Sequence, residues 1–285
     1  MIDLDEHVAS EEQADATPWA LDNLPPFPVV ATRLLNLLSA EDVNITEAGK
    51  MIAADPVFAT RVLQLANSPL FALRREVKTI SHAIIVLGLQ RVKAVTLTRV
   101  MGDFVAPVLK IKALRACWRN SLAGAILAER LARPCQMDPD FAYAAGLLRD
   151  IGRLALLVKY PESYANVLAV SGEHSFDLMT TERDLFDIDH CQAGVWMIEK
   201  MPFPPELSEV VAHHHTLLGK PFRMVHVVRI ADMLADTLGF AVITPVNAMG
   251  FDEVRRELPE MARSRFTSSP EELAADVDAR IQAWD

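Results

Sequence analysis

Tyr143-Ala-Ala-Gly-Leu-Leu-Arg-Asp-Ile-Gly-Arg-Leu-Ala-Leu156 decides how this chain is read. It is an apolar helical stretch interrupted by one charged pair, Arg149-Asp150, with Gly152 one turn from Leu148. Leu148 and Ile151 flank that pair, which places it in the interior. A charge taken out of water without a partner is costly, so both residues must find partners elsewhere in the fold. The stretch therefore predicts a helical protein with a buried polar centre.

The sequence on either side reads as helix almost throughout. Val30, Leu34, Leu37 and Leu38 fall on one stripe at helical spacing, with Pro28 suited to the first turn. Thr46 followed by Glu47 can cap a short helix, and Asp55-Pro56 offers a cap and a first-turn proline for the next. Asn67-Ser68-Pro69 ends that helix, Gly88 separates two more, and a long helix is predicted from about Ile111 to Leu131. Further helices are predicted over 161–169, 176–186, 189–200, 205–215 and 222–238, with Asp187-Ile-Asp189 capping the one that carries His190. Ala241 to Ser268 reads as irregular, and Ser269-Pro-Glu-Glu272 as a helix start. No strand alternation and no internal repeat are present. The fold class expected is all-α.

A formal net charge of -10 argues against nucleic-acid binding over the whole surface. The total conceals an asymmetry, because Arg61 to Arg133 holds 13 basic residues against Glu76, Asp103 and Glu129, leaving about -20 for the rest. Such a segment is either the solvated faces of amphipathic helices or a docking face, for which Arg74, Arg75, Lys78, Arg91 and Lys93 are the candidates. The acidic N-terminus (Asp3, Asp5, Glu6, Glu11, Glu12, Asp15) lacks the pattern of a signal peptide, and no apolar run approaches the roughly 18 residues of a membrane span. Cys117, Cys135 and Cys191 are odd in number and widely separated, which fits reduced thiols. A cytoplasmic location without membrane association is expected.

Several short motifs occur in an order that resembles one family. They are Leu24-Pro-Pro-Phe-Pro28, Asp55-Pro56, Arg61-Val-Leu-Gln-Leu-Ala-Asn-Ser68, Ile80-Ser-His-Ala-Ile-Ile-Val-Leu-Gly-Leu89 and Trp118-Arg-Asn-Ser121. His190-Cys-Gln-Ala-Gly194, Met201-Pro-Phe-Pro204 and His213-His-His215 complete the set. Together with the opening stretch they resemble the HDOD (HD-related output) domains, relatives of the HD and HD-GYP metal-dependent phosphohydrolases. The resemblance implies a multi-helical HDOD domain over 24–218, made of an N-terminal helical lobe to about Lys110 and a degenerate HD-type core. It leaves 1–23 as an acidic, partly disordered segment and 219–285 as a helical extension.

The resemblance also locates the hydrolase site and shows what it has lost. Active HD enzymes hold a divalent metal with an isolated His, a His-Asp pair and a later Asp. The matching positions here are Asn120, Arg149, Asp150 and Asp232. A guanidinium has five donors, no acceptor and a permanent charge, so Arg149 cannot ligate a cation and repels one. At an effective dielectric of about 20, a unit charge roughly 4 Å away costs about 4 kcal/mol, doubled for a divalent ion. A salt-bridge network is thus expected in place of the metal site, with no metal, no cofactor and no catalytic residue. His190 is expected to be a neutral, hydrogen-bonded core residue, and His190 and His214 with Asp232 mark a residual ligand or nucleotide site. His82 and His226 read as packing residues.

The function expected is that of a non-catalytic bacterial signal-transduction module working through contacts with another signalling protein of a cyclic di-GMP or two-component pathway. Two alternatives stand beside it. One is a metal-dependent phosphohydrolase or cyclic-nucleotide phosphodiesterase with an atypical site. The other is a nucleotide or nucleic-acid binder using the basic 61–133 segment.

Overall fold

The structure is a computed structural model that describes residues 19–21, 45–54, 56–67, 76–199, 205–244 and 249–282. Among these residues every regular element is a helix, so the all-α expectation holds. The first are α1 (Ile45–Ala53), α2 (Pro56–Ala66), α3 (Ile80–Leu87) and α4 (Leu89–Val105). Thr79 Oγ1 accepts the His82 N–H at 3.2 Å to start α3. Gly88, at φ 80, turns the chain from α3 into α4, a conformation that a Cβ would strain. Asn67 does more than end α2: its side chain donates to Val77 O at 2.9 Å and accepts Val77 N–H at 2.7 Å, joining two points ten residues apart.

These helices enclose a small core of Ile52, Val62, Ala66, Val77, Ala83, Ile84, Val92 and Val95. Helix α4 belongs to two cores, because its Leu97, Met101 and Phe104 enter the large one. The expected N-terminal lobe is therefore coupled to the rest of the molecule through one continuous helix. His82 is exposed, against the expectation of packing. The predicted helix over 29–38 lies outside the described residues.

The large core is built around α5 (Lys112–Ala132), about 30 Å long at 1.5 Å per residue. Helices α6 (Pro139–Leu148) and α12 (Met224–Ala235) pack along it. Asp138 caps α6, its Oδ1 accepting from Asp140 N and Phe141 N at 2.9 and 3.3 Å. The stretch Tyr143–Leu156 forms two helices, α6 and α7 (Ile151–Lys159), with Arg149-Asp150 at the joint. Next come α8 (Pro161–His174), α9 (Leu178–Phe186), α10 (His190–Glu199) and α11 (Pro205–His213). Helices α7 and α10 cross at Gly152, where a Cβ would lie 2.1 Å from His190 O and 2.3 Å from Gly194 N. Asp189 and Gln192 cap α10 reciprocally through Gln192 N to Asp189 Oδ1 and Asp189 N to Gln192 Oε1.

The large core does not stop at residue 218. Val225, Val227, Ile230 and Leu234 of α12 enter it, as do Leu273, Val277 and Ile281 of α15 (Pro270–Gln282). Between them lie α13 (Phe251–Arg256) and α14 (Glu260–Arg265), where the sequence reads as irregular. Six residues are too few to display an amphipathic stripe, so periodicity could not reveal them. Within the acidic N-terminal segment, Trp19–Leu21 is a 3-10 turn with Ala20 and Leu21 buried, and Trp19 Nε1 donates to Asp187 Oδ2 at 2.7 Å. No helix among the described residues is long and apolar enough to cross a membrane.

Candidate functional site

Arg149 is fully buried at the α6–α7 joint and uses its whole guanidinium. Nε and Nη2 donate to Asp232 Oδ1 at 3.0 and 2.7 Å, and Nη1 donates to Gly146 O at 2.7 Å. Nη2 also donates to Asn120 Oδ1 at 2.5 Å and Asn120 O at 3.2 Å. Asn120 is fixed in turn by donation from Nδ2 to Phe240 O at 3.0 Å. The four positions Asn120, Arg149, Asp150 and Asp232 thus meet in space, with Arg149 as the hub.

Asp150 is the second centre. Its carboxylate lies 3.3 Å from Arg149 Nε, 3.2 Å from Arg153 Nη1, 3.6 Å from His190 Nε2 and 3.5 Å from His214 Nε2. Burial works to raise its pKa, but Arg153 and Arg149 outweigh burial and hold the carboxyl well below the usual range. Burial likewise disfavours the Arg153 charge, and Asp150 more than restores it. His214 Nδ1 donates to the carbonyls of Val211 and Val210 at 3.0 and 3.2 Å, which turns Nε2 inward.

The third centre is Glu182, which the sequence did not single out. Its Oε2 accepts the His190 backbone N–H at 2.9 Å and the His190 Nδ1–H at 2.6 Å, while Tyr164 donates its hydroxyl to Oε1. Burial opposes a charged His190, but Glu182 lifts its pKa to about 10. His190 is buried and hydrogen-bonded as expected, and the carboxylate beside it favours its charged form. Its Nε2 lies 3.0 Å from His215 Nε2. His215 keeps partial exposure, and desolvation together with the adjacent His214 and His190 lowers its pKa. Asp150 and Asp232 are thus met by Arg149 and Arg153, and Glu182 by His190 and Tyr164.

That balance decides whether a metal fits. At the HD position Arg149 occupies the volume between Asn120, Asp150 and Asp232. A second grouping, His190, Cys191, His214 and His215, brings its ligand atoms within 4.8 Å of one another. There, too, a guanidinium intervenes, with Arg153 Nη2 3.3 Å from His190 Nε2, so a cation at this grouping would face a fixed positive charge. At both groupings a divalent cation would meet a fixed guanidinium charge.

A cavity of about 320 Å3 adjoins the network, lined by Asn120, Arg153, Asp177, His190, His215, Asp232 and Asp236 together with apolar side chains. Asp236 follows Asp232 by one turn, at the start of a π-helical turn, Asp236–Phe240. Burial and the neighbouring Asp232 push its pKa up to about 7, against Arg149 and Arg153. Of the residual ligand-site pair, His190 lines this cavity, whereas His214 faces Asp150.

The candidate docking face divides. Arg74 and Arg75 lie outside the described residues, as does the side chain of Lys93. Lys78 is exposed and 3.7 Å from Glu76. Arg91 is turned away from solvent to pair with buried Glu129, which also binds Arg280 at 2.6 Å. Much of the basic segment is answered by the C-terminal helix: Arg119 pairs with Asp278 at 2.8 Å and Arg130 with Asp276 at 2.9 Å. Arg153 had a visible signal in the sequence, an i,i+3 partner of Asp150 in an apolar stretch. Glu182 and Asp236 had none, because their partners are remote or their burial is tertiary.

Comparison with known proteins agrees with this arrangement. The HDOD domain model matches residues 24–217. An uncharacterized protein of Treponema pallidum (strain Nichols) is 20% identical over 203 residues, covering 70% of this chain; the chain spans 39% of that relative's length. Among solved structures, an HDOD domain protein of unknown function from Geobacter sulfurreducens is 25% identical with a TM-score of 0.69, covering 91% of this chain and 90% of its own. A protein of Shewanella amazonensis SB2B, provisionally named a phosphohydrolase, is 22% identical with a TM-score of 0.64 over 92% of this chain and 93% of its own. One from Marinobacter aquaeolei VT8, provisionally named a signal transduction protein, is 22% identical with a TM-score of 0.67 over 91% of this chain and 59% of its own. The helical core organised on the Arg149-Asp150 joint is that of an HD-related domain, and the chain belongs to the HDOD domain family.

Proposed function

We propose that this chain is a non-catalytic signal-transduction module acting through protein contacts. The observation that carries the proposal is the charge-matched buried network, in which Arg149 and Arg153 stand where an HD-type hydrolase would need cations. Catalysis by metal-activated water requires an open coordination position and a deprotonated donor set. Here Asp150 and Asp232 face the Arg149 and Arg153 guanidinium groups, whose fixed charge opposes a cation. A buried ionic network of this kind suits a rigid module whose output is a surface.

On this reading the partner is another signalling protein, of the kind found in cyclic di-GMP or two-component pathways, and the protein works in the cytoplasm. The pairing of Arg91, Arg119 and Arg130 with Glu129 and the C-terminal helix weighs against a basic nucleic-acid face. The phosphohydrolase reading draws on the provisional name of a 22% identical structure, a level of likeness that shows the fold alone. The test is turnover of phosphomonoester and cyclic dinucleotide substrates by the purified chain with added manganese or iron. No turnover above the blank is expected, and a pull-down from the native cell should return a signalling protein. Metal-dependent hydrolysis that is lost in Asp150→Ala would overturn the proposal.

A further inference from the structure

An aromatic notch at the end of α9 is occupied by the chain itself. The Trp19 ring packs against Tyr160 and Phe186, with centroids 5.8 and 6.5 Å away, and Trp19 Nε1 donates to Asp187 Oδ2 at 2.7 Å. Tyr160 donates its hydroxyl to Trp19 O at 3.4 Å. Ala20 and Leu21 follow into the large core, whereas Trp19 keeps 48% of its surface exposed. These three residues show what the notch accepts: an indole with its donor, a small residue and a leucine. What sits there bears on the buried network. Phe186 stacks on Tyr164 at 14°, Tyr164 donates to Glu182, and Glu182 accepts two hydrogen bonds from His190. Asp187, left-handed at φ 58, leads from α9 towards the Asp189 cap of α10. It also lines a groove of about 580 Å3 along α10, whose apolar wall includes Met179, Ile188, Val195 and Trp196. Notch and groove therefore meet at one residue, which already accepts a hydrogen bond from Trp19.

We propose that this notch is the docking site for a segment of a partner protein that carries a tryptophan followed by a small residue and a leucine, and that Trp19–Leu21 is its displaceable occupant within the chain. A partner segment of that chemistry repeats the contacts of Trp19–Leu21 and adds the groove along α10. The extra apolar burial offsets the advantage that a tethered segment holds through its high effective concentration. Tryptophan is selected over phenylalanine because only the indole supplies the N–H that Asp187 Oδ2 accepts. Exchange of occupant acts on Phe186 and Asp187, and through Tyr164 and Glu182 it reaches His190 and the start of α10. This inference rests on the reading of the protein as a module of protein contacts and names the surface and the partner chemistry. Peptide binding is read without any turnover, so its failure and the failure of the non-catalytic reading are separate results.

The test uses the full chain and a labelled synthetic peptide of residues 12–24, which stands in for the partner segment. Trp19→Ala with Leu21→Ala vacates the notch, and this double variant should bind the peptide at about 100 µM or tighter by fluorescence anisotropy. Wild type, whose tethered segment competes, should bind at least about tenfold more weakly. The peptide carrying Trp19→Phe should bind the double variant about tenfold more weakly than the unaltered peptide. Hydrogen exchange across 182–192 should be faster in the double variant than in wild type and slow again when the peptide is added. Should the double variant lose its circular dichroism, Trp19→Ala alone supplies the same exchange comparison. No binding by the vacated chain, equal binding by wild type and double variant, or exchange across 182–192 that ignores both substitution and peptide would each overturn the inference. Dimerisation of wild type at the assay concentration, abolished by Trp19→Ala, would assign the notch to a second copy and overturn the separate partner.

Discussion

Gly124 on α5 faces the Arg149 guanidinium so closely that a Cβ at Gly124 would lie 2.2 Å from Nη1 and 2.6 Å from Cζ. Neither residue explains itself alone. A glycine in mid-helix forgoes about 1 kcal/mol of helix propensity relative to alanine, and here that loss makes room for a buried cation. Arg149 cannot retreat, because its donors are held by Asp232, Gly146 and Asn120. Gly124→Ala should therefore destabilise the protein by up to about 2 kcal/mol, the overpacking cost of about 1–3 kcal/mol less a propensity gain of about 1 kcal/mol. Chemical denaturation decides the sign, and a stabilised variant would contradict the packing described.

Arg149→Ala should be more damaging, by about 3–5 kcal/mol, because it strands Asp232 and Asp150 in the interior. Arg149→Lys keeps the charge but cannot reproduce a planar fork of five donors, so its loss should fall between wild type and Arg149→Ala. Denaturation midpoints for the three proteins give the order. Equal stability of Arg149→Ala and wild type would remove the network as a structural centre.

The sequence showed that Arg149 needed a partner but not which one. Local signals performed well where the physics is local: Asp189 and Ser269 cap the helices they precede, and the long helix predicted over 111–131 lies at Lys112–Ala132. Asp232 is 83 residues from Arg149, and Glu182 and Gly124 reach the site only through packing of α5, α9 and α10. Their roles depend on tertiary contacts that no periodicity encodes. The buried partner of His190 was missed for the same reason, since Glu182 lies eight residues away across a helix cap.

Asp236 predicts a distinct pH dependence. Its pKa is raised from the ordinary carboxyl value to about 7, so the folded state holds a proton that the unfolded chain has released. The contribution is fully present below about pH 4 and is lost as pH rises through about 7. Asp236→Asn should thus raise the melting temperature at pH 8 and change it little at pH 4. The opposite pattern, stabilisation confined to acid, would show that Asp232 and burial do not act on this group as described.

Glu129 predicts the reverse limb. Burial alone would raise its pKa, but Arg280 and Arg91 hold it below the usual range. Its stabilising contribution is present above the ordinary carboxyl pKa and lost as pH falls through the depressed one. Glu129→Gln should cost about 2 kcal/mol at neutral pH and soften the acid loss of stability, with removal of charge-assisted hydrogen bonds as the cause. Because Glu129 ties α4 to α15, hydrogen exchange should rise in both helices. Protection unchanged in α15 would separate the C-terminal helix from this hub.

At the HD position the protein's own guanidinium groups stand in place of a metal. Elemental analysis of protein purified and then dialysed against manganese, iron and zinc tests this most directly. The expected result is well under about one-tenth of an equivalent of each metal, since the fixed charges of Arg149 and Arg153 oppose a cation there. Roughly one equivalent of any of them, retained through dialysis and lost in Asp150→Ala or Asp232→Ala, would contradict the account.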